Sequence, residues 1–216
     1  MDIGKAFTYV FEDEDWVKKV LIGGVINLIP IVGFFFTAGY MLETLKNVME
    51  GRSLPLPEWD DWGGKFMKGL MLFVIGLIYS LPLIIIMCCL MVGVSAFASQ
   101  NEDVANAMSS IVMPCMQCVN LLYSIALMVF LPAILAKYAE TEELGAAFRF
   151  GEIFNLVKDN IGTYLLVLVI SLLAGVITNL GVLACGVGVL FTMFYAMLVN
   201  AYAYGQAYRT VSAKVA

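Results

Sequence analysis

The chain has 216 residues, 62% of them hydrophobic and 13% charged, with a mean hydropathy of +0.91. That is too little charge to cover a water-soluble surface, so a soluble Rossmann, TIM-barrel or sandwich enzyme is excluded. A net charge of −5 with no unopposed basic patch argues against a nucleic-acid partner.

In chain order, residues 1–16 place Ile3, Phe7, Val10 and Phe11 near one helical face and close on the acidic run Glu12 to Asp15, the pattern of a short interfacial helix. One lysine, a broken apolar stretch and that acidic run do not make a signal peptide. Residues 17–49 are apolar but interrupted by Pro30 and Gly33 in LIPIVG, where proline removes a backbone donor and disfavours helix at the residue before it. They form either one kinked span or two arms of ten to thirteen residues, each reaching only part of a core ~30 Å thick. Residues 50–69 carry LPLPEWDDWGGKF and read as a cytoplasmic segment.

Residues 70–136 hold two long apolar runs, Leu70 to Phe97 and Ile111 to Ala136, parted by the polar stretch SQNEDVANAMSS. Each is long enough to cross with tilt, which predicts a spanning hairpin, and Leu70 to Phe97 and Ile161 to Asn179 are apolar on nearly every side, which excludes the alternating strands of an outer-membrane barrel. Residues 137–160 are a charged amphipathic stretch, and residues 161–210 form a second hairpin through the turn NLGVLACGVG. None of the twelve Lys and Arg falls in 99–110 or 179–187. The positive-inside rule therefore places those connections outside and both termini in the cytoplasm. Basic residues flank segment 17–49 on both sides, so a hairpin that turns back at Pro30 is expected to keep them all on one face. The expected fold is a single membrane domain of an all-α integral membrane protein, with four spanning helices in two hairpins, an N-terminal partial (re-entrant) hairpin and cytoplasmic amphipathic helices. Ala6-Phe7 and Ala147-Phe148 each open an amphipathic stretch before a hairpin, a hint of internal duplication of the kind found in transporters.

Four sets of residues are candidates for function. Pro30 and Gly33 mark the helix break. Trp59, Asp60, Asp61 and Trp62 read either as a docking surface, with Glu58 completing a possible cation site, or as an aromatic belt whose acids cap the following helix. Cys88, Cys89, Cys115 and Cys118 match in depth, and Cys185 lies in the external turn; packing thiols, a disulfide between segments and a thiolate metal site are all open. Gly76 with Ser80, Ser171 with Gly175 and Ala201 with Gly205 have the small-xxx-small spacing of close helix contacts, within the chain or between copies. Asn27, Asn120, Ser124, Asn179 and Asn200 can bond between helices. Glu43 is the charge nearest a span interior, and Lys46 and Lys19 are its expected neighbours at the boundary. With no histidine, no phosphate loop and no nucleophile elbow, neither catalysis nor a cofactor is expected.

Ala6-Phe7, the run Phe11-Glu12-Asp13-Glu14-Asp15-Trp16, Leu28-Ile29-Pro30-Ile31-Val32-Gly33, Gly39-Tyr40 and Leu56-Pro57-Glu58-Trp59-Asp60-Asp61-Trp62-Gly63 together resemble an uncharacterised family of prokaryotic multi-pass membrane proteins, domain-of-unknown-function family 4013. The resemblance covers nearly the whole chain and is strongest over residues 1–75. It implies a prokaryotic cytoplasmic membrane and transfers no activity. Phe150-Gly151-Glu152 through Gly162-Thr163-Tyr164 is also similar to the membrane domains attached to some glycerophosphodiester phosphodiesterases. The expectation is a non-enzymatic scaffold whose partners are membrane lipids and either itself, as a homo-oligomer, or another membrane protein. The alternative is a small transporter or lipid-handling protein with its site at Pro30.

Overall fold

Apolar runs separated by Gly, Pro and acidic punctuation give eight α-helices in the computed structural model, which describes residues 1–98, 102–183 and 186–215. They are α1 (Ile3–Thr8), α2 (Trp16–Ile26), α3 (Val32–Met49), α4 (Trp62–Ala98), α5 (Glu102–Thr141), α6 (Phe150–Asp159), α7 (Ile161–Leu180) and α8 (Gly188–Val215), with 3₁₀ turns at Tyr9–Glu12, Leu144–Phe148 and Gly181–Leu183. No strand occurs among the described residues. Four helices are long and apolar enough to cross a membrane, over Trp62–Ala96, Ser110–Thr141, Ile161–Leu180 and Gly188–Ala213. The protein is a multi-pass, all-α membrane protein.

The chain divides into two compact units, Met1–Phe73 with Val129–Ala216, and Val74–Met128. In the first, α8 is the central helix, its Phe194, Leu198, Val199, Ala201 and Ala203 fully buried. Against it packs a helical hairpin, because the chain reverses between α2 and α3. Lys19 at the start of α2 and Tyr40 in α3 both meet Trp59, and at the other end Thr37 Oγ1 donates to Asn27 Oδ1 (3.1 Å). The Asn27 amide in turn donates to the Leu190 carbonyl (3.3 Å), while Leu45 and Val48 close on Gly205. Hence α3 runs parallel to α8 and α2 antiparallel to it. The break lies at Pro30 as expected. The arms are unequal, 11 and 18 residues, because α3 continues past Glu43 once that carboxylate is paired.

The turn itself is strained. Val32 N–H donates to the Pro30 carbonyl (2.7 Å) across Ile31, whose φ is 65°. This is the γ-turn of the unfavourable hand, and a β-branched side chain there costs of order 1–3 kcal/mol. Gly33 seats the turn, since a Cβ would fall 2.0 Å from the Ile26 carbonyl oxygen.

The second hairpin, α7–α8, repeats this local design. Gly33-x-x-Phe36-Thr37-x-x-Tyr40 recurs as Gly188-x-x-Phe191-Thr192-x-x-Tyr195, each run opening the second arm of its hairpin. Thr37 and Thr192 donate back to the carbonyls of Gly33 and Gly188 (3.2 and 3.1 Å). Each also reaches its own hairpin's first arm, Thr37 at Asn27 and Thr192 at the Thr178 carbonyl. Tyr40 and Tyr195 donate to carbonyls outside their hairpins, Pro57 and Phe7. Ala6 and Ala147, which carried the hint of duplication in the sequence, are both fully buried.

Residues 1–16 depart from expectation. Only six residues form α1, and the buried face is Ala6, Tyr9 and Val10, while Ile3 and Phe11 are exposed. Tyr9 Oη donates to the Leu198 carbonyl (2.8 Å) and its ring stacks on Tyr202, so the segment is pinned to α8. The connection SQNEDVANAMSS is also shorter than expected, because α5 is already helical from Glu102.

In the second unit α4 and α5 run antiparallel, with Tyr123 Oη donating to the Tyr79 carbonyl. That register puts Met87, Met91, Met113 and Met116 around the seam. Cys88, Cys89, Cys115 and Cys118 are free, exposed thiols in this arrangement. Cys185 lies outside the described residues.

Candidate functional site

Prolines at 55 and 57 hold residues 54–61 out of any helix, and this stretch is strapped across the feet of the first hairpin. Three consecutive carbonyls of the strap are met by side chains from the bundle. Asn47 Nδ2 donates to Pro55 O (2.8 Å), Lys19 Nζ to Leu56 O (3.5 Å) and Tyr40 Oη to Pro57 O (2.7 Å). In return Trp59 Nε1 donates to the Lys19 carbonyl (3.0 Å), and its ring stacks on Tyr40 with centroids 4.4 Å apart. Beyond the strap, Asp61 Oδ1 accepts from Gly64 N–H (2.9 Å) and caps α4, as negative charge at a helix N-terminus should.

Under the strap two lysines are buried. The side chain of Lys19 is 5% exposed and its ammonium lies 2.8 Å from Asp13 and 2.6 Å from Glu58. That of Lys65 is 1% exposed, with Nζ 2.8 Å from Glu43 and 3.6 Å from Asp60, above the face of the Tyr40 ring. Lys68 reaches the other oxygen of Glu43 at 2.7 Å. Removing a lysine from water costs several kcal/mol unless a carboxylate and further acceptors receive it, and both sites supply them. The expected neighbours of Glu43 are therefore corrected. Lys46, on the same helix, turns instead to Glu142, and Lys19 to Asp13 and Glu58.

Beside the strap lies an open cavity of about 520 Å³ whose wall includes Glu43, Lys46, Glu50, Arg52, Asp60 and Glu142. Lys46 holds the Glu142 carboxyl below its ordinary range, and Glu142 sits at the end of α5 with φ 56°. Asp60 is lowered first by the backbone N–H groups of Asp61 and of Asp60 itself, with Lys65 adding to the effect.

Of the four candidate docking residues, Trp59 is half-buried in the strap, whereas Asp60, Asp61 and Trp62 are exposed beside it. Glu58, Asp60 and Asp61 are directed to a lysine, a second lysine and a helix cap respectively. Among the described residues no group of three acids, cysteines or histidines is placed to hold a metal. Pro30 is surrounded by exposed apolar neighbours, Leu28, Ile29 and Ile31, and the nearby Asn27 amide is bonded within the bundle. Ala201 and Gly205 are buried in α8, and a Cβ on Gly205 would fall 2.7 Å from Val48. Ser171 is buried, Gly175 and Gly76 open onto free space, and Ser80 bonds within its own helix. Sequence reasoning missed the burial of Lys19 and Lys65; for Lys65 the signal was Glu58, Asp60 and Asp61 around Trp59, followed by lysines at 65 and 68.

A family model described as "Protein of unknown function (DUF4013)" matches residues 22–187, and the chain belongs to that family. The match bears on the first resemblance drawn from the sequence and not on the second. No curated protein and no solved structure matches the chain.

Proposed function

We propose that the protein is a non-enzymatic scaffold of the prokaryotic cytoplasmic membrane, with both termini cytoplasmic. In this reading it organises or bends the bilayer through self-association or by docking to another membrane protein. The observation that carries the reading is the first hairpin. Its tip exposes Leu28, Ile29 and Ile31, the last to 77%, while its polar groups are used internally. From Val32 to Leu42 the long arm is free of charge for only about 16 Å, against a core of ~30 Å. An apolar tip on charged feet enters from one face, returns to it and adds volume to one leaflet. On α6, exposed Phe150 and Phe154 share one apolar stripe with buried Ile153 and Val157, which adds an amphipathic helix with a partly uncovered apolar edge to the same task.

The test is native mass in mild detergent together with vesicle shape after reconstitution. The reading expects an oligomer, and deformed vesicles that relax when Ile29 and Ile31 are replaced by Ser. A strict monomer that leaves vesicles unchanged contradicts it. One observation favours a second reading, a transporter or lipid-handling protein: the buried lysines beside a charged cavity. Solute flux or lipid exchange in the same vesicles, abolished by changes at Lys46 and Glu142, would select that reading.

A further inference from the structure

The second unit concentrates sulfur. The eleven positions 87–91 (MCCLM) and 113–118 (MPCMQC) hold eight of the chain's eighteen Met and Cys side chains. The antiparallel register of α4 and α5, pinned where Tyr123 meets the Tyr79 carbonyl, brings the two runs to one level of the hairpin. There a cavity of about 100 Å³ opens between the helices, walled by Met87, Met91, Met113 and Met116, with Leu90, Val94 and Val112 beside them and Ser95, whose hydroxyl donates to the Met91 carbonyl, as its one polar side chain. Met116 is buried, and Met91 and Met113 are half exposed, so the sulfurs line a mouth as well as a floor.

We propose that this cavity is a binding site for a soft monovalent cation, Cu(I) or its stable analogue Ag(I), held by the thioethers of Met87, Met91, Met113 and Met116. Neutral, polarisable sulfur selects soft d¹⁰ ions over Zn²⁺, Mg²⁺ or Ca²⁺. A single charge also costs far less to desolvate in an apolar cavity than a double one. The four methionines come as facing pairs from two helices, and their unbranched side chains can converge on an ion without moving the backbone. The four cysteines at this level are exposed and none lines the cavity. Thioethers carry no proton, so binding releases none and persists at acidic pH, unlike a thiolate site.

The experiment titrates the full-length detergent-solubilised protein with Ag(I), and with Cu(I) under a reducing atmosphere against a competing chelator. In the protein with its five cysteines replaced by Ser, which removes competing thiolates, the expected result is one ion per chain and an affinity that does not change from about pH 8 to about pH 5. Replacing the four methionines by Leu, a volume-conserving change, is expected to weaken binding about 100-fold, while Leu at Met41, Met67 and Met71 does not. Replacing Cys88, Cys89, Cys115 and Cys118 by Ser is expected to leave it in place. X-ray absorption of the Cu(I)-loaded protein with its cysteines replaced by Ser, which keeps all four methionines, should show sulfur ligands only. Failure to bind, nitrogen or oxygen ligands, affinity that falls as pH is lowered, or binding retained by the four-Leu protein would each overturn the proposal.

Discussion

The two hairpins of the first unit open their second arms with the same eight-residue pattern and bond it in the same way, yet they turn differently. In α7–α8 the positive φ of the turn falls on Gly186 (77°). In α2–α3 it falls on Ile31. Glycine would relax that turn, so the chain carries strain where it also exposes apolar surface, and the side chain at the tip is worth more to the protein than a relaxed backbone. The feet differ too. The first hairpin stands on buried ion pairs covered by a proline strap, whereas among the described residues no charged side chain of α7 or α8 is buried. A shared framework has acquired a strained apolar tip and an ionic base in one copy only.

The sharpest way to break this contrast is at the base. Lys65→Met leaves Glu43 buried with one partner instead of two, and is expected to cost about 3–5 kcal/mol, read as thermal unfolding in detergent. Equal tolerance of that change and of a surface change such as Lys18→Met would remove the ionic base from the account. The shared pattern is probed by Thr37→Val and Thr192→Val. Each loses one bond to the other arm of its hairpin, so each should cost about 1 kcal/mol and by similar amounts. At the tip the sign reverses: Ile31→Gly is expected to stabilise by about 1 kcal/mol while weakening any effect on vesicle shape.

The smallest effect is acidic. Because the Glu142 carboxyl is lowered by Lys46, its contribution is present above the ordinary carboxylate pKa and disappears as pH falls through the lowered value. The pair is well exposed, so the term is expected to lie under about 1 kcal/mol. Subtracting the Glu142→Gln acid-unfolding curve from the wild-type curve should isolate it below about pH 4.

Most helix positions were legible because twenty-residue apolar runs and a proline leave few alternatives. Pro30 located the break and Trp62 the start of α4 within a residue. What sequence could not supply was partnership. Lys19, Lys65 and Lys68 look alike in a boundary-charge pattern, and only the fold sends two of them inward to Asp13, Glu58 and Glu43. Spacing brought the cysteines to attention, but helix phase about the α4–α5 seam left them exposed and lined the cavity with methionines instead. Likewise Ala6, Tyr9 and Val10 pack as core because α8 presents Leu198 and Tyr202 to them, a tertiary fact that local amphipathicity does not contain.

The central claim is that the first hairpin enters and leaves the membrane on one face. Single cysteines at Lys18 and at Ser53, in a background with the native cysteines replaced by Ser, can be labelled with an impermeant maleimide in sealed right-side-out and inverted vesicles, with Glu102→Cys as the opposite-side marker. The account predicts that Lys18→Cys and Ser53→Cys react together in inverted vesicles and that Glu102→Cys reacts in right-side-out ones. Reaction of the first two from opposite faces would mean that residues 20–45 cross once, and would contradict it.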